Sequence, residues 1–199
     1  LVGSEMCIRD RMNGFTPPVT PNMFTGQSFV MGTDDQGRDL LSAIIYGLRV
    51  SLFVGVMSVL LAMGIGVSLG LVAGYVGGWL DNLIMRIADI QLTFPSILIA
   101  MLIFGVLRGI IPPDLRDEMA IFVLIAAIGL SEWVPFARTV RATTLVEKEK
   151  EYVQAARLIG LRRGQIMWRH ILPNVIGPVL VIATITLALA IIAEATLSF

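Results

Sequence analysis

Few side chains in this sequence could support acid–base, nucleophilic or metal chemistry. Cys7 is its only cysteine and His170 its only histidine, which excludes an internal disulfide framework and a zinc or haem site built from several such residues. The 199 residues contain no GxxxxGK[ST] segment, whose backbone amides would hold the phosphates of ATP. The sequence therefore predicts no metal, no bound cofactor and no catalysis by this chain.

One carboxylate, Glu132, is the candidate for chemistry within a membrane. It interrupts an apolar segment that begins near Met119 and ends at Arg138, and an ionisable group at bilayer depth is by default a functional candidate. The neighbouring Trp133 and Pro135 are equally typical of a broken or interfacial helix in which the carboxylate is hydrated or paired. Both interpretations stay open, and Glu132 is the single candidate for a substrate pathway.

The composition is that of a membrane protein. Hydrophobic residues make up 56% of the chain, charged residues 15%, and the mean hydropathy is +0.82. The formal net charge of zero favours no nucleic-acid partner. Apolar segments long enough to cross a bilayer predict an all-α polytopic helical bundle. The predicted membrane domain is 50–199, with spans at about 50–75, 83–107, 119–141 and 175–199 and a loop at 142–173.

Sequence features within the spans predict how the helices pack and bend. Gly66, Gly70 and Gly74 repeat every four residues and form a small-residue ridge on which another helix can pack closely. Pro95 predicts a kink in the second span. Arg86 and Asp89 are three residues apart and can meet on one helix face.

Residues 138–169, the end of the third span and most of the loop that follows it, carry eight of the fifteen basic residues, and the positive-inside rule therefore places this loop in the cytoplasm. They are Arg138, Arg141, Lys148, Lys150, Arg157, Arg162, Arg163 and Arg169.

Two short helices are predicted within this loop. Tyr152, Ala155, Ala156 and Ile159 fall on one face of the first helix, and Gly160 stands where a left-handed C-terminal cap is expected. A second helix, about 162–172, is predicted to end at Pro173. The small alanines favour docking into a groove of another protein, and the alternative is a helix lying on the bilayer surface.

The chain before the membrane domain is predicted to be a leader and a connector. Residues 1–13 show no periodicity and are predicted to be non-native or disordered. Residues 14–49 are predicted to be an external connector, which includes a GTDDQGRD turn with Asp39 or Ser42 at the start of a helix.

The loop resembles the Glu-Ala-Ala loop of permease subunits of ATP-binding-cassette importers. That pattern is Glu-Ala-Ala, three residues, Gly, nine residues, Ile, any residue and Leu-Pro. Gln154, Ala155, Ala156, Gly160, Leu172 and Pro173 hold its register, whereas Gln154 replaces the glutamate and His170 the isoleucine. The residues that the resemblance assigns to ATPase coupling are Glu151, Tyr152, Gln154, Ala155, Ala156, Arg157, Ile159, Gly160, Arg162, Arg163, Leu172 and Pro173.

Further segments are similar to the second permease of the dipeptide, oligopeptide and nickel-peptide importers. They are GTDDQGRDLLSAIIYGLRVSL, AGYVGGWLDNLIMRIADI, FPSILIA, EYVQAARLIG, RHILPN and AEATLSF. The resemblance covers about 32–199 and implies a binding-protein-dependent importer permease (MetI-like) fold of six spans, truncated here at both ends. It also implies inward peptide transport across a bacterial-type inner membrane. The implied partners are two ATP-binding subunits that hold ATP and Mg²⁺, a homologous permease and an extracytoplasmic substrate-binding protein.

Three alternatives remain at this stage. The same architecture could import nickel or another chelated metal. An ion-coupled secondary transporter would need ionisable sites near the membrane midplane, and only Glu132 could be one. An intramembrane enzyme is disfavoured because the single histidine lies in the basic loop.

Overall fold

The computed structural model describes residues 31–33 and 39–198, without the side chains of Asp117 and Ser198. The predicted leader 1–13 and most of the predicted connector, including residues 34–38 of its GTDDQGRD turn, lie outside the described residues. The chain divides into two compact units, 1–52 and 53–199.

The described part of the first unit contains the start of helix α1 (Leu40–Val76). The Oδ1 of Asp39 accepts a hydrogen bond from the Leu41 amide at 3.2 Å, and its Oδ2 accepts one from the Ser42 amide at 3.3 Å. The Leu40 amide also donates to the Gly32 carbonyl at 3.2 Å. The predicted N-terminal role of Asp39 is therefore confirmed, because its carboxylate pairs two amides that lack partners within the helix.

The second unit is a bundle of helices. Within the described residues its elements follow α1 in the order α2 (Gly78–Leu92), α3 (Ser96–Ile110), a 3₁₀ turn (Pro113–Leu115), α4 (Arg116–Ser131), α5 (Trp133–Glu147), α6 (Glu151–Leu158), α7 (Arg163–Ile166), a π-helical turn (Met167–Ile171) and α8 (Leu172–Ser198).

The glycine ridge of α1 brings this helix against α5. A Cβ atom added to Gly66 would lie 2.5 Å from the Trp133 carbonyl oxygen, and one added to Gly74 would lie 2.8 Å from the Cβ of Thr144. At Gly70 the clash would be with the backbone carbonyl of Ala137. The predicted close helix packing is confirmed, because only glycine leaves room for the α5 backbone at these three positions.

Bends divide two of the predicted spans. The predicted kink at Pro95 is present, but the angle between α2 and α3 is 97°, far sharper than a kinked helix. The angle is 41° where α4 meets α5 at Glu132. By length and composition, two described helical runs could cross a membrane, namely α1 and residues 163–197, or up to four if each bent pair is one span. The four-span arrangement therefore stays a prediction.

Ion pairs between α2 and α5 differ from the sequence prediction. Asp89 pairs with Arg138 on α5, so its partner is on another helix rather than Arg86, which the spacing within α2 would have allowed. Asp81 holds the guanidinium of Arg141 through two hydrogen bonds, one of them 2.7 Å between Nη2 and Oδ2. Cross-helix partners prevail here because the packing of α2 on α5 brings Arg138 and Arg141 to the α2 carboxylates.

Candidate functional site

A rigid turn ends α6, the first helix of the predicted loop. Gly160 adopts a φ of 83°. The Leu161 amide donates to the Ala156 carbonyl at 3.2 Å, and the Gly160 amide donates to the Arg157 carbonyl at 3.0 Å. These two bonds define a Schellman motif, which pairs the last carbonyls of a helix. The predicted left-handed glycine cap is confirmed, and any L side chain at Gly160 would be strained.

The exposed face of α6 differs from the predicted one. Ala156 is buried, at 5% exposure, together with Val153. Ala155 is exposed as predicted, but the prominent apolar side chains are Leu158 and Ile159, at 89% and 79% exposure. The predicted Ala155–Ala156 docking ridge is therefore wrong at Ala156.

Apolar periodicity identifies which residues share a helix face, but it does not show which face the rest of the chain covers. The prediction for Ala156 was wrong for this reason. The signal that could have corrected it is Val153, whose branched apolar side chain was left on the supposedly polar side. With Val153 and Ala156 turned inward, Leu158 and Ile159 must project from the end of the helix. We call Ala155, Leu158 and Ile159 the apolar tip of α6.

The start of α6 is fastened by a small polar network. The Tyr152 hydroxyl donates to Oε2 of Glu147 at 2.5 Å and accepts from Nδ2 of Asn174 at 3.0 Å. Lys150 Nζ binds Oε1 of the same Glu147 at 2.6 Å. We call Glu147, Lys150, Tyr152 and Asn174 the Tyr152 latch. It joins the end of α5, the start of α6 and the start of α8.

The latch shifts the ionisation of two of its members. The hydrogen bonds from Lys150 and then Tyr152 stabilise the carboxylate of Glu147 and lower its pKa below the ordinary 4.5. Burial, followed by the hydrogen bond to Glu147, raises the pKa of Tyr152 above 10.0. Both shifts favour the charge states that the latch needs at neutral pH.

The second helix of the loop does not end at Pro173, which corrects the prediction. The backbone runs from α7 through the π turn 167–171 into α8, and Pro173 is the second residue of α8. A proline ring clashes with the carbonyl four residues earlier, and the wide π turn provides room at that point. Asn174 Nδ2 also donates to the His170 carbonyl at 3.0 Å. Leu172 and Pro173 therefore lie where the loop continues into the last long helix.

The loop is also attached to the end of α1. Lys148 Nζ donates to the Gly74 carbonyl at 3.3 Å, which pairs one of the last carbonyls of that helix. The guanidinium of Arg157 lies over the Tyr75 ring, 5.6 Å from its centre, a cation–π contact. α6 therefore touches three elements, α1, α5 and α8, and a force on it would reach all three.

The remaining predicted loop residues are at the surface. Glu151 is exposed in the first turn of α6, where a negative charge interacts favourably with the helix dipole. Gln154 Nε2 donates to the Glu149 carbonyl at 2.9 Å. Arg162 and Arg163 are exposed beside α7. The structure thus brings the predicted residues into one segment, with Ala156 facing inward.

Glu132 lies away from this segment, at the break between α4 and α5. Its side chain is half-buried, and its role in a substrate pathway stays a prediction. The residue that sequence reasoning missed is Gln91. Its amide nitrogen donates to the Ser131 carbonyl at 2.9 Å, and its oxygen accepts from Trp133 Nε1 at 2.8 Å. Gln91 therefore clamps both sides of the break, and no local pattern could have paired it with residues forty positions away.

Comparisons with known proteins match this chain to membrane transport components. Residues 66–199 match the model of the binding-protein-dependent transport system inner membrane component. A dipeptide transport system permease protein of Alkalihalophilus pseudofirmus is 43% identical over 84% of this chain and 52% of its own length. A glutathione transport system permease protein of Pectobacterium atrosepticum is 38% identical over 85% and 53%. An oligopeptide transport system permease protein of Bacillus subtilis is 36% identical over 94% and 56%. The chain thus spans about half the length of these relatives.

Proposed function

Because this chain belongs to the family of binding-protein-dependent transport system inner membrane components, we propose that it is a membrane-spanning permease subunit that moves peptides inward. The names of its relatives support the substrate class, since they refer to dipeptide, glutathione, oligopeptide and peptide transport. Di- and oligopeptides are therefore the proposed substrates. Nickel or another chelated metal is the alternative that uptake measurements must exclude.

The proposed assembly contains a homologous permease, two ATP-binding subunits and an extracytoplasmic substrate-binding protein in the inner membrane. ATP and Mg²⁺ are assigned to the ATP-binding subunits. The family description, which names binding-protein-dependent transport, supports a soluble protein that delivers the substrate. Proteomic analysis of the purified full-length permease complex should find all these subunits.

The apolar tip of α6 is the observation that carries the coupling proposal. Leu158 and Ile159 are almost fully exposed on a helix whose two ends are fixed, by the Tyr152 latch and by the Gly160 turn. A rigid helix that presents large apolar side chains suits a groove in a partner, because little ordering entropy is lost on docking. The proposed partner is the ATP-binding subunit.

Movement of the ATP-binding subunit would then pass through α6 to the helices on either side of it. α5 leads into α6, and the helical run that begins with α7 continues into α8. When nucleotide binding closes the ATP-binding subunits, a docked α6 would tilt both long elements together. Such rigid tilting is the alternating-access movement that exposes a substrate site to one side of the membrane at a time.

The experiment replaces the apolar tip by charge in the full-length permease, expressed with its partner subunits. Leu158→Glu combined with Ile159→Glu should abolish co-purification of the ATP-binding subunits and uptake of a labelled dipeptide, while the permease still inserts into the membrane. The matched control is Val146→Glu, another exposed apolar side chain, 65% exposed on α5. It should retain both activities.

Three results would overturn parts of this proposal. Normal dipeptide uptake and normal association with the ATP-binding subunits in the double variant would refute docking through the apolar tip. Uptake of ⁶³Ni²⁺ rather than a labelled dipeptide by the unaltered complex would refute the peptide substrate without affecting the coupling proposal. Uptake that survives ATP depletion but collapses with the ion gradient would indicate a secondary transporter instead.

A further inference from the structure

An open cleft of about 420 Å³ separates the end of α1 from the segment that follows α6. It is lined by Tyr75, Val76, Arg157, Leu161, Arg163 and Ile166. Arg157 lines one side of the cleft, and its guanidinium carbon lies over the Tyr75 ring. The cleft therefore combines two cations with an aromatic ring and an apolar floor.

The two arginines of the cleft have no carboxylate partner within residues 31–33 and 39–198. By contrast, Arg138, Arg141 and Lys150 each pair with an aspartate or glutamate in the same structure. Two guanidinium groups that line one cleft repel each other unless an anion lies between them. Arginine also binds the oxygens of phosphate through paired N–H groups. The cleft is therefore suited to a phosphate group.

The position of the cleft along α1 indicates where that phosphate comes from. From Val50 to Tyr75 the helix carries no charged side chain and rises about 39 Å, somewhat more than the roughly 30 Å of a hydrocarbon core. Tyr75 therefore lies at the level of the headgroups. Trp79, one turn further on, is 74% exposed, as is typical of an aromatic side chain at that depth.

We propose that this cleft binds the phosphate headgroup of an anionic phospholipid of the cytoplasmic leaflet. The two arginines would hold the phosphate oxygens, and Val76 and Leu161 would lie beside the glycerol and the first methylene groups. Basic pockets between helices at the cytoplasmic side recognise anionic headgroups in this way. The bound lipid would fix the distance between α6 and the membrane. The inference needs α1 to cross the membrane and the loop 142–173 to be cytoplasmic, and it does not depend on the identity of the transported substrate.

The test measures lipid binding by the full-length permease in detergent, using native mass spectrometry with dioleoyl phosphatidylglycerol, dioleoyl phosphatidylcholine or inorganic phosphate added. The cleft variant is Arg157→Gln with Arg163→Gln. The matched control is Arg162→Gln with Arg169→Gln, which removes the same charge from exposed residues of the same loop outside the cleft. A charge-retaining variant, Arg157→Lys with Arg163→Lys, guards against loss of folding.

One phosphatidylglycerol should bind much more tightly than phosphatidylcholine or free phosphate. The cleft variant should weaken binding of phosphatidylglycerol by roughly thirty-fold, because each of the two lost cations near the surface contributes a factor of roughly five to six. The control variant, Arg162→Gln with Arg169→Gln, should weaken binding of phosphatidylglycerol by less than half as many fold as the cleft variant does. The lysine variant should retain binding.

Equal losses in the cleft and control variants would overturn the proposal, since the effect would then be general charge. Equal affinity for inorganic phosphate would show that the source of the phosphate is not a lipid. A third result would also overturn the proposal. If the cleft variant binds the lipid as tightly as the unaltered protein but no longer binds the ATP-binding subunits, and those subunits displace the lipid, then the cleft is a contact with the ATP-binding subunit and not a lipid site.

Discussion

The Gly70 position offers a direct test of the packing between α1 and α5. In the variant Gly70→Ala the new Cβ would meet the backbone carbonyl and Cα of Ala137, and the Cα would be 3.0 Å away. These are backbone atoms, so no side-chain rotation can relieve the contact, and the two helices must separate. Overpacking of this kind costs about 1–3 kcal/mol.

Gly64→Ala is the matched control on the same helix. Its added Cβ would have no neighbour within 4 Å, so the variant gains the helix propensity of alanine, about 1 kcal/mol, without a clash. Because both variants share this gain, the difference between them isolates the packing cost. That difference of about 1–3 kcal/mol corresponds to roughly 2–12 °C in Tm for a chain of 150–250 residues, and to a smaller shift for the longer full-length protein.

The assay is thermal unfolding of the purified full-length permease in detergent, followed by tryptophan fluorescence and by size-exclusion chromatography after heating. Gly70→Ala should unfold at the lower temperature. If the two variants unfold at the same temperature, the close approach of α1 and α5 is wrong. Gly70→Ser should resemble Gly70→Ala, since its Cβ occupies the same position.

Two further predictions concern the hydrogen bonds of Gln91 and the Tyr152 latch. In Gln91→Leu, the Ser131 carbonyl and Trp133 Nε1 lose their hydrogen-bond partner, which costs about 1–3 kcal/mol. The Tm of this variant should therefore fall. An equal fall in Gln154→Leu, at an exposed position, would contradict this prediction. Glu147 has a lowered pKa, so its stabilisation of α6 is present above pH 4.5 and disappears as the pH falls through the lower folded value. Hydrogen exchange of the α6 amides, corrected for intrinsic rate, should show this loss in the natural chain but not in Glu147→Gln.

The sequence predicted those parts of the fold that depend on residues near one another in the chain. The glycine repeat at Gly66, Gly70 and Gly74 needs only helical spacing, and the turn at Gly160 needs only a residue that adopts positive φ. The bend at Pro95 was predicted, but its angle of 97° was not. A proline frees the backbone to bend, whereas the packing of α3 against the rest of the unit sets the angle.

Contacts between distant residues could not be predicted in the same way. Which face of α6 is buried, and therefore the exposure of Leu158 and Ile159, is decided by neighbouring elements. The π turn before Pro173 makes room for the proline ring within a continuous helix. A sequence pattern that treats proline as the end of a helix cannot predict such a turn. Gln91 gave no signal, because a single polar residue in an apolar helix has many possible partners.

The eight basic residues of 138–169 form one group in the sequence, but in the described part of the structure only some of them have a hydrogen-bond partner. Of the eight, Arg138, Arg141 and Lys150 pair with carboxylates, and Lys148 binds a backbone carbonyl. The other four, Arg157, Arg162, Arg163 and Arg169, all lie within 157–169. Paired cations contribute little net field at a distance. The charge available to an anionic leaflet or an acidic partner is therefore concentrated beside the apolar tip of α6, so electrostatic attraction and apolar docking would act on the same short segment.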